Sequence, residues 1–260
     1  MKSCIIIFGA TGILGKELVK NLDNLIEYDP SYKDIIYHVP TRKECDITIY
    51  DNVYDYINKI QPDIILHLAG QTMDINIEGK CLDESDAQNT DKIKDNKQYR
   101  NTIRQTNIQG TLNIVSVCDD KDIKLIYTST DSVFKGDVGN YTTDSELKPK
   151  TIYGKSKCCG EMMVSTLPRH LIIRAPFVRS SKFEFKYGYT DMICSREYVN
   201  IVAPDILSSA LSHKKGIIHI VGRTQSMYDI GKYTSKNVIP CKMPEDKKRV
   251  LSQNCSMMHW

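Results

Sequence analysis

The opening of the chain constrains the fold more than anything after it. A short apolar run at residues 4–8 leads straight into Gly9-Ala10-Thr11-Gly12-Ile13-Leu14-Gly15 and then into a stretch with helical spacing of its apolar residues. Strand, glycine turn and helix in that order form the first half of a βαβ unit that can receive a dinucleotide. Glycine permits the tight turn and a close backbone approach to a pyrophosphate, while the helix N-terminus presents unpaired N–H groups and the positive end of its dipole. Gly9, Thr11, Gly12, Ile13, Leu14 and Gly15 are therefore candidate cofactor contacts.

The rhythm continues. Apolar runs at 35–39, 64–69, 125–128 and 171–174 read as strands, and segments at 14–25, 53–60, 107–118 and 153–167 read as helices. Most of the strands lack polar alternation, as expected of parallel strands covered on both faces. The predicted fold class is α/β: a doubly wound Rossmann-type parallel sheet over residues 1–176, with a small C-terminal substrate-binding cap over 177–260. Two stretches interrupt the pattern. Residues 74–104 form a polar insertion, expected to be part helix and part loop. After Pro176 the strand-helix alternation is lost, although 206–211 reads as a helix and 216–222 as a strand between glycines.

At the end of the second strand, an acidic residue would hydrogen-bond the ribose of NAD. The chain has Val39-Pro40-Thr41-Arg42-Lys43 instead. A cation and a hydroxyl suit a 2′-phosphate, so NADP(H) is expected in preference to NAD(H), with Arg42 at the phosphate.

Tyr153 and Lys157 open a helix, and i, i+4 spacing sets both on one face. A free tyrosine has a pKa of about 10. A neighbouring cation favours the phenolate and lowers it, which makes the pair a proton donor suited to neutral pH. The strand before it ends in Ser129-Thr130-Asp131, at the sheet edge where ligands of open α/β folds bind. Thr130 is the candidate partner of a substrate carbonyl.

Composition removes other function classes. The formal charge of +3 is small, and the cations between Lys92 and Arg100 are interspersed with Asp91 and Asp95, so no nucleic-acid partner is expected. The nine cysteines show no metal-ligand spacing, so no metal is expected. Their odd number, without a secretory signal, reads as reduced thiols of a cytoplasmic protein. No apolar run is long enough to span a membrane. A homodimer is compatible with the sequence, which fixes no oligomeric state.

These motifs resemble the extended short-chain dehydrogenase/reductases, and within them the dTDP-4-dehydrorhamnose reductases. The resemblance is carried by the glycine turn, by Thr41-Arg42-Lys43-Glu44-Cys45-Asp46-Ile47-Thr48, and by Gln61-Pro62-Asp63-Ile64-Ile65-Leu66-His67-Leu68-Ala69-Gly70. It continues in Ser129-Thr130-Asp131-Ser132-Val133-Phe134-Lys135-Gly136 and in Pro149 with Tyr153-Gly154-Lys155-Ser156-Lys157 and Gly160-Glu161. It implies NADPH-dependent reduction of the C4 ketone of a nucleotide-linked 4-keto-6-deoxyhexose. Tyr153 would give the proton, and Lys157 would hold the nicotinamide ribose. Asp46 and Ile47 would border the adenine, while Leu68, Ala69 and Gly70 would line the cofactor. Asn107 would occupy the superfamily's helix asparagine position. Gln71, Thr130, Asp131, Val133 and Phe134 would contact the nucleotide-sugar substrate. Ser132 stands where the family usually has tyrosine, and residues 180–200 are short for a substrate lobe. Two alternatives stay open: a reductase or epimerase of another UDP-linked or N-acetylated 4-keto sugar, and a non-catalytic regulatory subunit of the same fold.

Overall fold

A computed structural model describes residues 3–72, 97–178, 182–245 and 254–258. Its centre is a sheet of six parallel strands: β1 (Ser3–Phe8), β2 (Ile35–His38), β3 (Ile64–His67), β4 (Lys124–Ser129), β5 (His170–Arg174) and β10 (Gly216–His219), ordered β10-β5-β4-β3-β1-β2. Successive side chains of a strand point to opposite faces, and both faces are apolar. Ile5, Ile7, Leu66, Ile126 and Leu171 pack beneath helices α1 (Ile13–Tyr28) and α6 (Val199–Leu211). Ile6, Phe8, Ile65, Leu125 and Ile172 pack on the other side against α2 (Tyr50–Ile60) and α4 (Gly110–Asp120). The expected doubly wound sheet is therefore present.

The chain runs from β1 outward to β2, then returns to place β3 on the other side of β1. Such a reversal opens a crevice at the carboxyl ends of the two inner strands. The glycine turn lies there. Gly9 has φ +87°, and a Cβ on it would come within 2.5 Å of Ala69 N, so the turn and the end of β3 touch only because residue 9 is glycine. Gly12 caps α1 without any side-chain hydrogen bond, leaving the first-turn N–H groups to the crevice.

Two boundaries need correction. The sixth strand of the sheet is β10, and α6 packs on α1, so the Rossmann-type unit does not end at residue 176. The alternation was hidden because the cap is inserted in the connection between β5 and β10. That inserted region includes β6 (Phe177–Val178), β7 (Tyr187–Tyr189), β8 (Ile193–Cys194) and β9 (Glu197–Tyr198). Beyond β10, β11 (Gln225–Ser226), α7 (Met227–Thr234), β12 (Ile239–Cys241) and β13 (Asn254–Cys255) complete the cap. β7 pairs with β12, and β8 with β11 and β13, over a core that includes Phe183, Tyr189, Met192 and Met227. The polar insertion lies largely outside the described residues. Its end forms α3 (Lys97–Ile103), joined to α4 by a π-helical turn, Arg104–Gln109, in place of the single helix expected from residue 107.

Among the described residues no helix is long and apolar enough to cross a membrane. Cys241 is disulfide-bonded, so the expectation of nine reduced thiols fails at that position.

Helix α5 (Ile152–Val164) sits close over β4: a Cβ on Gly160 would fall on the Tyr127 hydroxyl, which is itself fully buried. Gly160→Ala is therefore expected to cost about 1–3 kcal/mol by overpacking. A urea titration checks this as a lower midpoint at unchanged slope. Tyr127→Phe in the same chain should return part of the loss, because the hydroxyl oxygen is the first atom struck.

Candidate active site

A cavity of about 360 Å³ opens at the carboxyl edge of the sheet. Gly9, Gly12, Ile13, Leu14 and Gly15 form one wall, with Leu68 and Gly70 from the end of β3. Thr130, Asp131, Tyr153 and Lys157 form the opposite wall. The glycine turn and the tyrosine-lysine pair thus face one space although more than a hundred residues separate them.

Local structure explains the second wall. Thr151 caps α5, its hydroxyl accepting from Gly154 N at 2.9 Å, which starts the helix one residue before Tyr153. Lys157 follows Tyr153 by about one turn and is buried, with its Nζ 3.9 Å from the centre of the Tyr127 ring. Burial pushes this ammonium down to about 7, against the opposing pull of the Glu161 charge. Another turn along, Glu161 meets Arg174 of β5. Arg174 donates from Nε at 3.0 Å and from Nη2 at 2.8 Å, and the Ser129 hydroxyl donates to the same carboxylate. Arg174 also donates to Thr143 O at 3.1 Å.

Asn107 lies in the π-helical turn, where the widened backbone sets its side chain inward. Its amide donates to Gln71 O at 3.0 Å and to Ser156 Oγ at 2.9 Å, and its Oδ1 accepts from Gln71 N at 2.7 Å. It ties the strand end at Gly70 to helix α5. His67 is buried beneath, with Nε2 2.9 Å from the Thr111 hydroxyl. Burial, with a smaller contribution from Lys157, pushes its imidazole down to about 3, so it stays neutral.

Other expected site residues lie elsewhere. Arg42 and Asp46 stand on the loop after β2 and pair with each other at 3.0 Å, with the Arg42 side chain 74% exposed. Ile47 is buried against Gly110. Thr11 is exposed, Ala69 packs on the sheet core, and the Gln71 backbone is held by Asn107; none of the three borders the cavity. Val133 and Phe134 correct the expectation of substrate contact. The 3-10 turn Asp131–Val133 leads the chain inward, both side chains are fully buried, and the Phe134 ring stacks on Tyr141 at 4.4 Å. Conversely Pro176, Phe177, Glu184, Phe185, Arg196 and Met227 line the cavity and were not singled out by sequence. Pro176 and Phe177 come one residue after the end of β5, so the strand-end rule could have found them. The cap residues carry no motif. Among the described residues no cluster of three or more His, Cys, Asp or Glu side chains could hold a metal.

The depressed lysine gives a stability test. An unfolded lysine titrates at about 10.5. Below pH 7 both states are charged and the folded state carries the full cost of burial. Between pH 7 and 10.5 only the unfolded lysine remains charged to be neutralised, so the cost fades as pH rises. Lys157→Met should therefore be more stable than wild type at pH 6, by roughly 1–4 kcal/mol after the lost cation–π contact is allowed for. The difference should shrink steadily between pH 7 and 10.5 in denaturant titrations of the cofactor-free proteins.

Comparison with known proteins agrees with this geometry. A family model described as RmlD substrate binding domain matches residues 1–208. The chain is 28% identical over 172 residues to a dTDP-4-dehydrorhamnose reductase of Aggregatibacter actinomycetemcomitans, covering 65% of this chain and 50% of that one. It is 27% identical over 186 residues to a probable low-salt glycan biosynthesis reductase of Haloferax volcanii, covering 67% and 53%. The chain thus spans about half the length of these curated relatives. Among solved structures, dTDP-4-dehydrorhamnose reductase of Bacillus anthracis in complex with NADP superposes with a TM-score of 0.77 at 23% identity, covering 100% of this chain and 91% of that one. With four-fifths of its length inside the family model, the chain belongs to the RmlD substrate binding domain family.

Proposed function

We propose that the protein is an NADPH-dependent reductase acting on the C4 ketone of a nucleotide-linked 4-keto-6-deoxyhexose. The observation that carries this reading is the single cavity in which the glycine turn faces Thr130, Tyr153 and Lys157. The relatives named as reductases of such sugars support it.

The residues present fit a dinucleotide. Gly12 leaves the first turn of α1 without a side-chain cap, so its N–H groups are open to a pyrophosphate. Leu68 and Gly70 give an apolar, close-fitting floor. When bound, the nicotinamide supplies the hydride. The chain's own residues do the rest. Tyr153 gives its hydroxyl proton to the oxygen that becomes the alcohol. Lys157, one turn away, holds a ribose hydroxyl and stabilises the phenolate left behind. Asn107 fixes Ser156 and the Gly70-Gln71 backbone so that the two walls keep their separation. The nucleotide-sugar lies beneath the cap, the substrate-binding region in this reading, with Phe177, Phe185 and Met227 excluding water from the reacting ketone.

Arg42 is assigned to the 2′-phosphate. Its present partner, Asp46, is an exposed ion pair worth little, so exchanging it for a phosphate costs little.

Two measurements test the reading. Purified protein given NADPH with dTDP-linked and UDP-linked 4-keto sugars should oxidise the cofactor, and Tyr153→Phe should lower turnover by about a hundredfold or more while NADPH affinity holds. Near-normal turnover in that variant rejects Tyr153 as the donor. Arg42→Ala should weaken NADPH binding more than NADH binding, by roughly 1.5–3 kcal/mol. Equal losses for the two cofactors would make Arg42 a surface residue.

A further inference from the structure

Thr130 has one hydroxyl proton to give, and in this structure its nearer acceptor is the Asp131 carboxylate, with Ser132 Oγ farther off at 3.4 Å. The Thr130 hydroxyl donates to Asp131 Oδ1 at 3.0 Å and accepts from Ser132 N at 3.2 Å. A ketone oxygen only accepts. Thr130 can donate to one only by leaving Asp131, whose carboxylate is buried and cannot turn to water for a replacement. Two other donors already reach that carboxylate. The Ser132 hydroxyl donates to Oδ1 at 3.3 Å, and Arg196 Nε donates to Oδ2 at 3.2 Å with its side chain only 12% exposed. Arg196 stands between β8 and β9 in the cap and lines the same cavity as Thr130 and Tyr153.

We propose that Arg196 is a positioning residue for ketone reduction: it holds the charge of Asp131 so that Thr130 can turn its proton from the carboxylate to the substrate carbonyl. This rests on the reading that the chain reduces a nucleotide-linked ketone. With a neutral side chain at position 196, Asp131 keeps the Thr130 proton, and the hydroxyl offers only a lone pair to the cavity. That arrangement suits an alcohol and not a ketone. Loss of Arg196 then acts on the chemical step, and only through Thr130. A pair that merely fastened the cap to the sheet edge would behave differently, because its loss would loosen substrate binding whether or not Thr130 carried a hydroxyl.

A double-mutant cycle on the full chain separates the two, using Arg196→Gln and Thr130→Val with kcat, KM and NADPH affinity measured for each. The expected result is a fall in kcat of about ten- to a hundredfold for Arg196→Gln, the scale on which removing the partner of a first-layer group acts. NADPH affinity should hold, Arg196→Lys should keep most of the rate, and Arg196→Gln should cost at most about twofold more in the Thr130→Val background. Additive losses, or equal losses for the Lys and Gln variants, overturn the proposal. If Arg196→Gln does not fold, Asp131→Asn with Arg196→Gln takes its place, since it buries neither charge. The proposal then expects kcat within about tenfold of wild type, and a loss as deep as that of Thr130→Val overturns it. Failure of the wild type to reduce any nucleotide-linked ketone overturns the functional reading and this assignment with it. An active wild type with additive losses overturns only the role of Arg196.

Discussion

Arg174 and Glu161 meet with almost no water around them, at 1% and 3% exposure, and the site is arranged about their contact. The carboxylate belongs to the helix that carries Tyr153 and Lys157, and the guanidinium to the strand beside β4. Through these two groups the helix is also tied to Ser129 at the end of β4, to Thr143 O, and to His219 of β10, 3.4 Å from Arg174 Nη1. A buried pair of this kind adds little net stability relative to apolar residues of the same size, yet removal of one partner leaves an uncompensated charge and costs about 3–5 kcal/mol. What it supplies is register. Sliding α5 along the sheet by one residue would break the bonds of Glu161 to Arg174 and to Ser129, so Tyr153 and Lys157 meet the cavity at one height only.

Under that helix the chemistry is set by burial more than by charge. Lys157 rests on the face of Tyr127, His67 is kept neutral, and the Tyr127 hydroxyl is raised in pKa chiefly by the same desolvation. The ammonium is left poised near neutrality. A polar ligand beside it would restore some of the solvation that the protein has removed.

How much could be read from sequence followed how local each signal was. The glycine turn, the four inner strands and the Tyr153-Lys157 spacing are written in neighbouring residues, and they stand where the sequence placed them. Val133 and Phe134 were misplaced because a 3-10 turn decides their direction, and a motif string does not show which way a turn faces. Arg196 carries no motif; its importance comes from Asp131, which is distant in sequence and met only through the fold. β10 was read as a strand, yet its place in the main sheet could not be read, because the pairing with β5 reaches across the whole inserted part of the cap.

That pairing changes how the cap should be regarded. β5 and β10 are adjacent parallel strands, so everything between Arg174 and Gly216 is topologically one crossover connection, and α6 alone suffices to cover the sheet as such a connection must. The extra residues ahead of α6 are cargo on a loop whose two ends are already held. Closing a longer loop costs only about 0.6 kcal/mol for each doubling of its length. The sheet is therefore nearly indifferent to the size of what the crossover carries, and the cap segments can lengthen, shorten or be replaced while α5 and the glycine turn keep their places.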